Sequence, residues 1–208
     1  KEVSLPTDSY VVKRLITGMH FVDGTNIEKA LYVNERTIAK DLPGDFLDNL
    51  LLKEAYRTES NFNEEVKVKD LEQARINLFG KNYEIIIPTD KEVGSCPVFK
   101  YNTEKRSYKK DSSECNITND ISISYDVVEA RIIENKSITI YEAVAFIKDD
   151  KIYKKIDGSN NVSDEVKDVT TDGFNALDNV KKLNQYKYTF TYDKDSNNYV
   201  FNSIELVK

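Results

Sequence analysis

The chain has 208 residues, with 39% hydrophobic and 32% charged side chains and a formal net charge of −6. That length builds a real hydrophobic core, and that balance excludes a disordered chain. The negative charge argues against general nucleic-acid binding, which needs a basic footprint to displace counterions, and no apolar run approaches the roughly 20 residues of a membrane span.

Residues 1–80 read as helical. In "LPTDSYVVKRLITGMHF", Thr7 or Asp8 is placed to cap a helix whose apolar face carries Val11, Val12, Leu15, Ile16 and Met19. Gly24 is the expected end of that unit, and "TNIEKALYVNE" fits a short helix or a strand equally. "LPGDFLDNLLLKEAYR" predicts a second helix, with Phe46, Leu47, Leu50, Leu51 and Ala55 on one face and Pro43 where a first turn tolerates it. "VKDLEQARINLFGKNYEIII" predicts a third, stopped at Gly80, before "NYEIII" turns into a strand.

Residues 81–208 read as antiparallel strands. "PVFKY" and "RSYKK" flank "NTEK" as a hairpin. "ISISYDVVEARII" and "SITIYEAVAFIK" flank "ENK", and "KIYKKI" follows the tight turn at Asp149–Asp150. Residues 157–173 read as an acidic loop, and "FNALDNVKKL" as a short helix. In "YKYTFTYDKDSNNYVFNSIELVK", Tyr186, Tyr188, Phe190 and Tyr192 alternate with polar residues, which predicts an aromatic strand face, a turn and a return strand. The expectation is one α+β domain over residues 1–208, with N-terminal helices packed on a curved antiparallel sheet in a cystatin-like or nuclear-transport-factor-like cone. Such architectures host enzymes, inhibitors and binding modules, so fold alone does not select a function.

The two cysteines, Cys96 and Cys115, bracket the "NTEK" hairpin. A disulfide there joins strand ends at permitted distances, and closing such a loop stabilises by about 3 kcal/mol in the entropy model. The alternative is a pair of free thiols in a reducing compartment. The lone histidine, His20, lies far from both, which leaves no zinc quartet and no local signature of a Cys–His nucleophile. No cofactor is expected.

Between the cysteines, Lys100, Lys105, Arg106, Lys109 and Lys110 stand with Phe99, Tyr101 and Tyr108, against Glu104, Asp111 and Glu114. This positive island on a negative chain reads in two ways. Lys100, Tyr101, Lys105, Arg106, Tyr108, Lys109 and Lys110 could meet an anionic partner: a polyanionic wall polymer, an anionic membrane surface or an acidic protein patch. Alternatively, the lysines blunt a sheet edge against unwanted pairing.

The turn "DKDSNN" begins like a calcium loop with Asp193, Asp195 and Asn197, but lacks the sixth-position glycine and has Ile204 at the twelfth; "DGSNNVSDEVKD" is similarly loose. Asp126 and Glu129 would point to opposite faces of a regular strand. Glu142 shares the apolar alternation of Ile138, Ile140, Val144 and Phe146, so it is either a pocket group for acid–base work or the partner of a cation such as Arg131. Asn116, Asn135 and Asn161 begin glycosylation patterns that matter only in a eukaryotic source. The chain begins at Lys1 rather than Met, from which a removed leader or N-terminal anchor is expected.

The segments "VKDLEQARINLFGKNYEI", "CPVFKYNTEKRSYKKDSSEC", "ARIIENKSITIYEAVAFI" and "YKYTFTYDKDSNNYVFNSIELVK" resemble a family of extracytoplasmic proteins of gut Firmicutes and related low-GC bacteria. The resemblance covers most of the chain, and its motifs are structural. It implies export, envelope attachment through an N-terminal membrane segment, and the disulfide; it carries over no catalytic residues and no substrate. The expected function is a non-enzymatic envelope-associated binding module, with an anionic envelope polymer or envelope protein as partner. A pocket-based hydrolase using Glu142, Asp126 or His20, or a purely structural spacer, are the alternatives.

Overall fold

The computed structural model describes residues 1–20, 25–58, 65–94, 96–113, 115 and 120–207. The readings that rested on Gly24, Glu114 and Asn116 lie outside these residues. The chain is α+β, with helices ahead of a large antiparallel sheet.

The helices are α1 (Tyr10–Met19), α2 (Thr25–Glu28), α3 (Gly44–Thr58) and α4 (Val68–Phe79). The N-cap of helix α1 is Ser9 rather than Thr7 or Asp8, and Ser9 makes no side-chain cap bond. Helix α3 buries the predicted apolar face of Phe46, Leu47, Leu50, Leu51 and Ala55, together with Leu52. Helix α4 has Asp70 accepting the Lys67 backbone N–H at 2.7 Å, which satisfies a donor at its first turn. It ends at Gly80, whose φ of 87° suits glycine. A side chain there would also meet the Asp193 carboxylate at 3.0 Å.

The principal sheet runs, in order, β1 (Glu2–Leu5), β6 (Ile121–Ile133), β7 (Ser137–Lys148), β10 (Asn184–Asp193), β11 (Asn198–Val207) and β2 (Arg36–Ile38). Its long strands are β6, β7, β10 and β11. Both predicted hairpins form, Ile132 facing Ile138 in one and Asp193 facing Asn198 in the other. The short strands β8 (Lys151–Ile156) and β9 (Val162–Glu165) extend from β7. A second sheet joins β3 (Glu65–Lys67), β5 (Ser107–Asp111) and β4 (Val98–Asn102) in that order.

Several short elements differ from the sequence expectation. Strands β1 (Glu2–Leu5), β2 (Arg36–Ile38) and β3 lie within the part read as helical, β2 just after the segment that fitted a short helix or a strand equally. Each gains its hydrogen bonds from a strand far along the chain, so no local periodicity announces it. Residues 83–87 form no strand; Tyr83, Ile85 and Ile87 pack on the core without a ladder partner. The segment read as an acidic loop contains β9, and "FNALDNVKKL" contains a 3₁₀ turn at Leu177–Lys182.

The main core joins the helices to one face of β7, β10 and β11, with Phe46, Leu51, Tyr188, Phe190 and Ile140 buried. A smaller cluster covers the reverse face of β7, where Ala143 and Ala145 pack under Ile152, Val166 and Leu183. Mid-strand β7 is therefore closed on both faces, and a polar side chain there must find its partners inside the protein.

Candidate functional site

Glu142 is fully buried on β7, within the alternation of Ile138, Ile140, Val144 and Phe146. Its partner is not Arg131, which pairs with Glu129 at 2.6 Å and Glu2 at 3.7 Å. The partners are instead His20, Tyr32 and Tyr188.

Each arrives from a different element. His20 caps the C-terminus of α1. Tyr32 follows the 3₁₀ turn Lys29–Leu31. Tyr188 belongs to the aromatic face of β10, whose Tyr186 stands directly across from Glu142 in the ladder. Tyr188, two residues further on, leans diagonally to the same carboxylate. Glu28, the last residue of α2, closes the cluster on the far side of the imidazole.

The geometry saturates the carboxylate of Glu142. Oε2 lies 2.7 Å from His20 Nε2, and Oε1 accepts from Tyr32 and Tyr188, each at 2.9 Å. His20 Nδ1 bonds Glu28. The imidazole is thus held between two carboxylates, all three groups at most 5% exposed. Burial drives the imidazole toward its neutral form, but the charge and hydrogen bond of Glu142, then those of Glu28, outweigh it and push its pKa up to about 9. His20 is therefore an imidazolium at neutral pH, with both N–H groups committed. Burial, and then the charge of Glu142, hold the Tyr32 and Tyr188 hydroxyls well above their ordinary range, so both act as donors. Tyr125 of β6 stacks on the imidazole and is 36% exposed.

Asp126 is not part of this cluster. Its carboxylate accepts the Leu177 N–H at 3.1 Å, and its ladder partner is Ala143. The strand irregularity between Val127 and Glu129 does not bring Asp126 and Glu129 together: one bonds Leu177, the other Arg131.

The second sequence-derived site is the hairpin β4–β5. Cys96 and Cys115 form a disulfide, with Cα atoms 4.8 Å apart. The turn falls at residues 103–106, closed by the Lys105 N–H on Asn102 Oδ1 at 2.9 Å. Tyr108 is not a surface contact. It is wholly buried, stands across from Val66, and donates to the Lys91 carbonyl at 2.9 Å. Its position on the strand explains this, because Tyr108 shares the inward face with Phe99 and Tyr101.

Lys100 pairs with Asp111 at 3.1 Å, and Lys109 stands opposite Glu65 in the ladder. The outward face of this sheet thus interleaves charges of both signs. Lys105, Arg106 and Lys109 are exposed, while Tyr101 and Lys110 are half-buried.

The acidic turns are occupied by their own backbone. Asp193 accepts the Ser196 N–H and hydroxyl, and Asp157 accepts the Ser159 and Asn161 N–H groups. Among the described residues, no cluster of three or more His, Cys, Asp or Glu side chains is placed to hold a metal ion. Among them, too, no helix is long and apolar enough to cross a membrane.

The signal for Glu142 was legible as an acid on an apolar alternation. Nothing in the sequence tied it to Glu28, Tyr32 or Tyr188, which lie 46 to 114 positions away along the chain (for Tyr188 and Tyr32 the separations are 46 and 110). No family model, no curated protein and no solved structure matches the chain.

Proposed function

We propose that the protein is an extracytoplasmic, envelope-associated domain that works by binding rather than by catalysis. The observation that carries this reading is the closure of the His20 cluster. Both imidazole nitrogens and both Glu142 oxygens are already engaged. A general acid or base needs a proton site within reach of a substrate atom, and here each such site is turned on a neighbour. The cluster fixes α1, the Tyr32 turn, β7 and β10 relative to one another. The disulfide supports the placement, because such bonds persist in oxidising compartments.

The contact surface in this reading is the exposed side of the stapled hairpin, with Lys105, Arg106 and Lys109. Calorimetry against an anionic wall polymer tests it. Salt-dependent heat that disappears in a Lys105→Glu, Arg106→Glu, Lys109→Glu variant is the expected result. The absence of heat with wall polymers, anionic vesicles and glycans alike would remove the reading.

Tyr125 favours a second reading. A ligand that displaced this partly exposed ring would reach the imidazolium beneath it. A hydrolase panel run across pH separates the two: turnover abolished by His20→Gln supports the enzyme, and none supports the binding domain.

A further inference from the structure

The exposed cations of the β4–β5 hairpin have neighbours on β3 and α4. The hairpin turn is pinned to the start of α4: the Val68 N–H donates to the Arg106 carbonyl at 3.1 Å, and Lys67 stands opposite Ser107 in the β3–β5 ladder. Residues opposite one another in a ladder share a face, as do alternate residues along a strand. Lys67, Ser107 and Lys109 therefore lie on the same outward side of the small sheet. Lys69 follows as the second residue of α4.

Lys67, Lys69, Lys105 and Arg106 are all exposed, and among the described residues none of them makes an ion pair. Two nearby acids are engaged. Glu65 accepts from the Ser107 hydroxyl, and Asp70 accepts the Lys67 backbone N–H at 2.7 Å. Between Tyr101 and Lys110 the one acid is Glu104.

Two of these lysines sit where the helix itself disfavours them. Lys67 is the N-cap residue of α4, a position that ordinarily supplies an acceptor to the first turn, and an ammonium has none to give. The N-terminus is also the positive end of the helix dipole, where carboxylates stabilise and cations destabilise. Other residues at both positions would serve the folding of α4 better. A bound anion reverses the balance, because it offsets both ammonium charges and the helix end together.

We propose that the anion-binding surface of the hairpin continues across β3 onto the first turn of α4, and that Lys67 and Lys69 contact the same linear anionic polymer as Lys105, Arg106 and Lys109. This inference rests on the hairpin reading and adds the extent of the surface. The cations are spread over the turn, two strands and a helix, which suits a chain of repeated anionic groups better than a single small anion.

Calorimetry of the whole chain with inorganic polyphosphate, repeated across salt concentrations, tests it, with orthophosphate as the single-anion comparison. The parent is expected to bind polyphosphate, and to bind orthophosphate at least about tenfold more weakly. Lys67→Glu with Lys69→Glu should weaken polyphosphate at least about tenfold and make the fall of log affinity with log salt shallower by about two. The Tm of that variant should hold or rise, since both carboxylates sit at the positive end of α4, so its weaker binding is not a loss of fold. Lys181→Glu with Lys182→Glu makes the same change in net charge at another exposed pair and should bind like the parent. Polyphosphate binding that survives in the Lys67, Lys69 variant but not in the hairpin charge-reversal variant would overturn the extension and leave the hairpin reading standing. Equal losses in the Lys181, Lys182 variant would assign the effect to net charge, and orthophosphate binding as tightly as polyphosphate would replace the polymer with a single-anion site; either overturns the proposal. A parent that binds no polyphosphate overturns it too, with the hairpin reading then decided by its own titration against wall polymers.

Discussion

Tyr125 lies flat against His20, the ring centroids 3.8 Å apart and the planes within 10° of each other. With the imidazole charged at neutral pH, the contact is a cation over an aromatic face, one side of which meets solvent. Tyr125→Phe keeps that face and should leave stability nearly unchanged. Tyr125→Ala removes it, which should cost about 1 kcal/mol and lower the imidazole pKa, read from the His20 ring proton shifts across a pH titration.

The charge of His20 also sets a pH dependence. Its pKa is about 9 in the folded chain against 6.5 in the unfolded one, so the folded state holds the proton more tightly. The stabilisation is then fully present below pH 6.5 and is lost as the pH rises through 9, a fall on the order of 3 kcal/mol. Urea unfolding at pH 6 and at pH 9.5 measures it. His20→Gln should flatten that fall, and an equally steep fall in the variant would place its origin elsewhere.

Glu142 holds three partners, so its loss should exceed that of any one of them. Glu142→Leu leaves a buried imidazolium with only Glu28, and leaves the Tyr32 and Tyr188 hydroxyls without their acceptor. Breaking a buried charge pair in this way costs on the order of 3–5 kcal/mol. The companion variant Glu142→Leu, His20→Leu, Glu28→Leu removes all three charges and should recover part of that loss, as measured by the shift in urea midpoint. Additive losses in the triple variant would show that the three side chains are not coupled.

These partners show what sequence can and cannot say about the fold. The helices α3 and α4 and the hairpins β6–β7 and β10–β11 were legible because their periodicity and turn residues are local. The aromatic alternation of β10 located Tyr188, and the apolar alternation of β7 located Glu142, each on its correct face. Their meeting was not legible, since it depends on which strands are neighbours and in what register. The same limit applies to β1, β2 and β3, each of three or four residues, which exist as strands only through their pairing. On the β4–β5 hairpin, composition suggested a continuous basic surface. The pleat divides it, sending Tyr108 inward and setting Lys100 against Asp111.

The disulfide closes a loop of 19 positions around that hairpin. Its β3–β5–β4 sheet is small, with strands of three and five residues, and small sheets have little burial of their own to resist opening. Constraining the unfolded chain over such a loop contributes about 3 kcal/mol. Reduction, or Cys96→Ser with Cys115→Ser, should therefore lower the urea midpoint by a corresponding amount. The larger sheet and its His20 cluster lie elsewhere in the fold, so the pH dependence assigned to His20 should survive reduction. Intact mass after alkylation checks the bond itself: the native chain should take up no label until reduced, and then two. Label taken up at both cysteines without reduction would remove the staple, and with it the main physical support for an oxidising compartment.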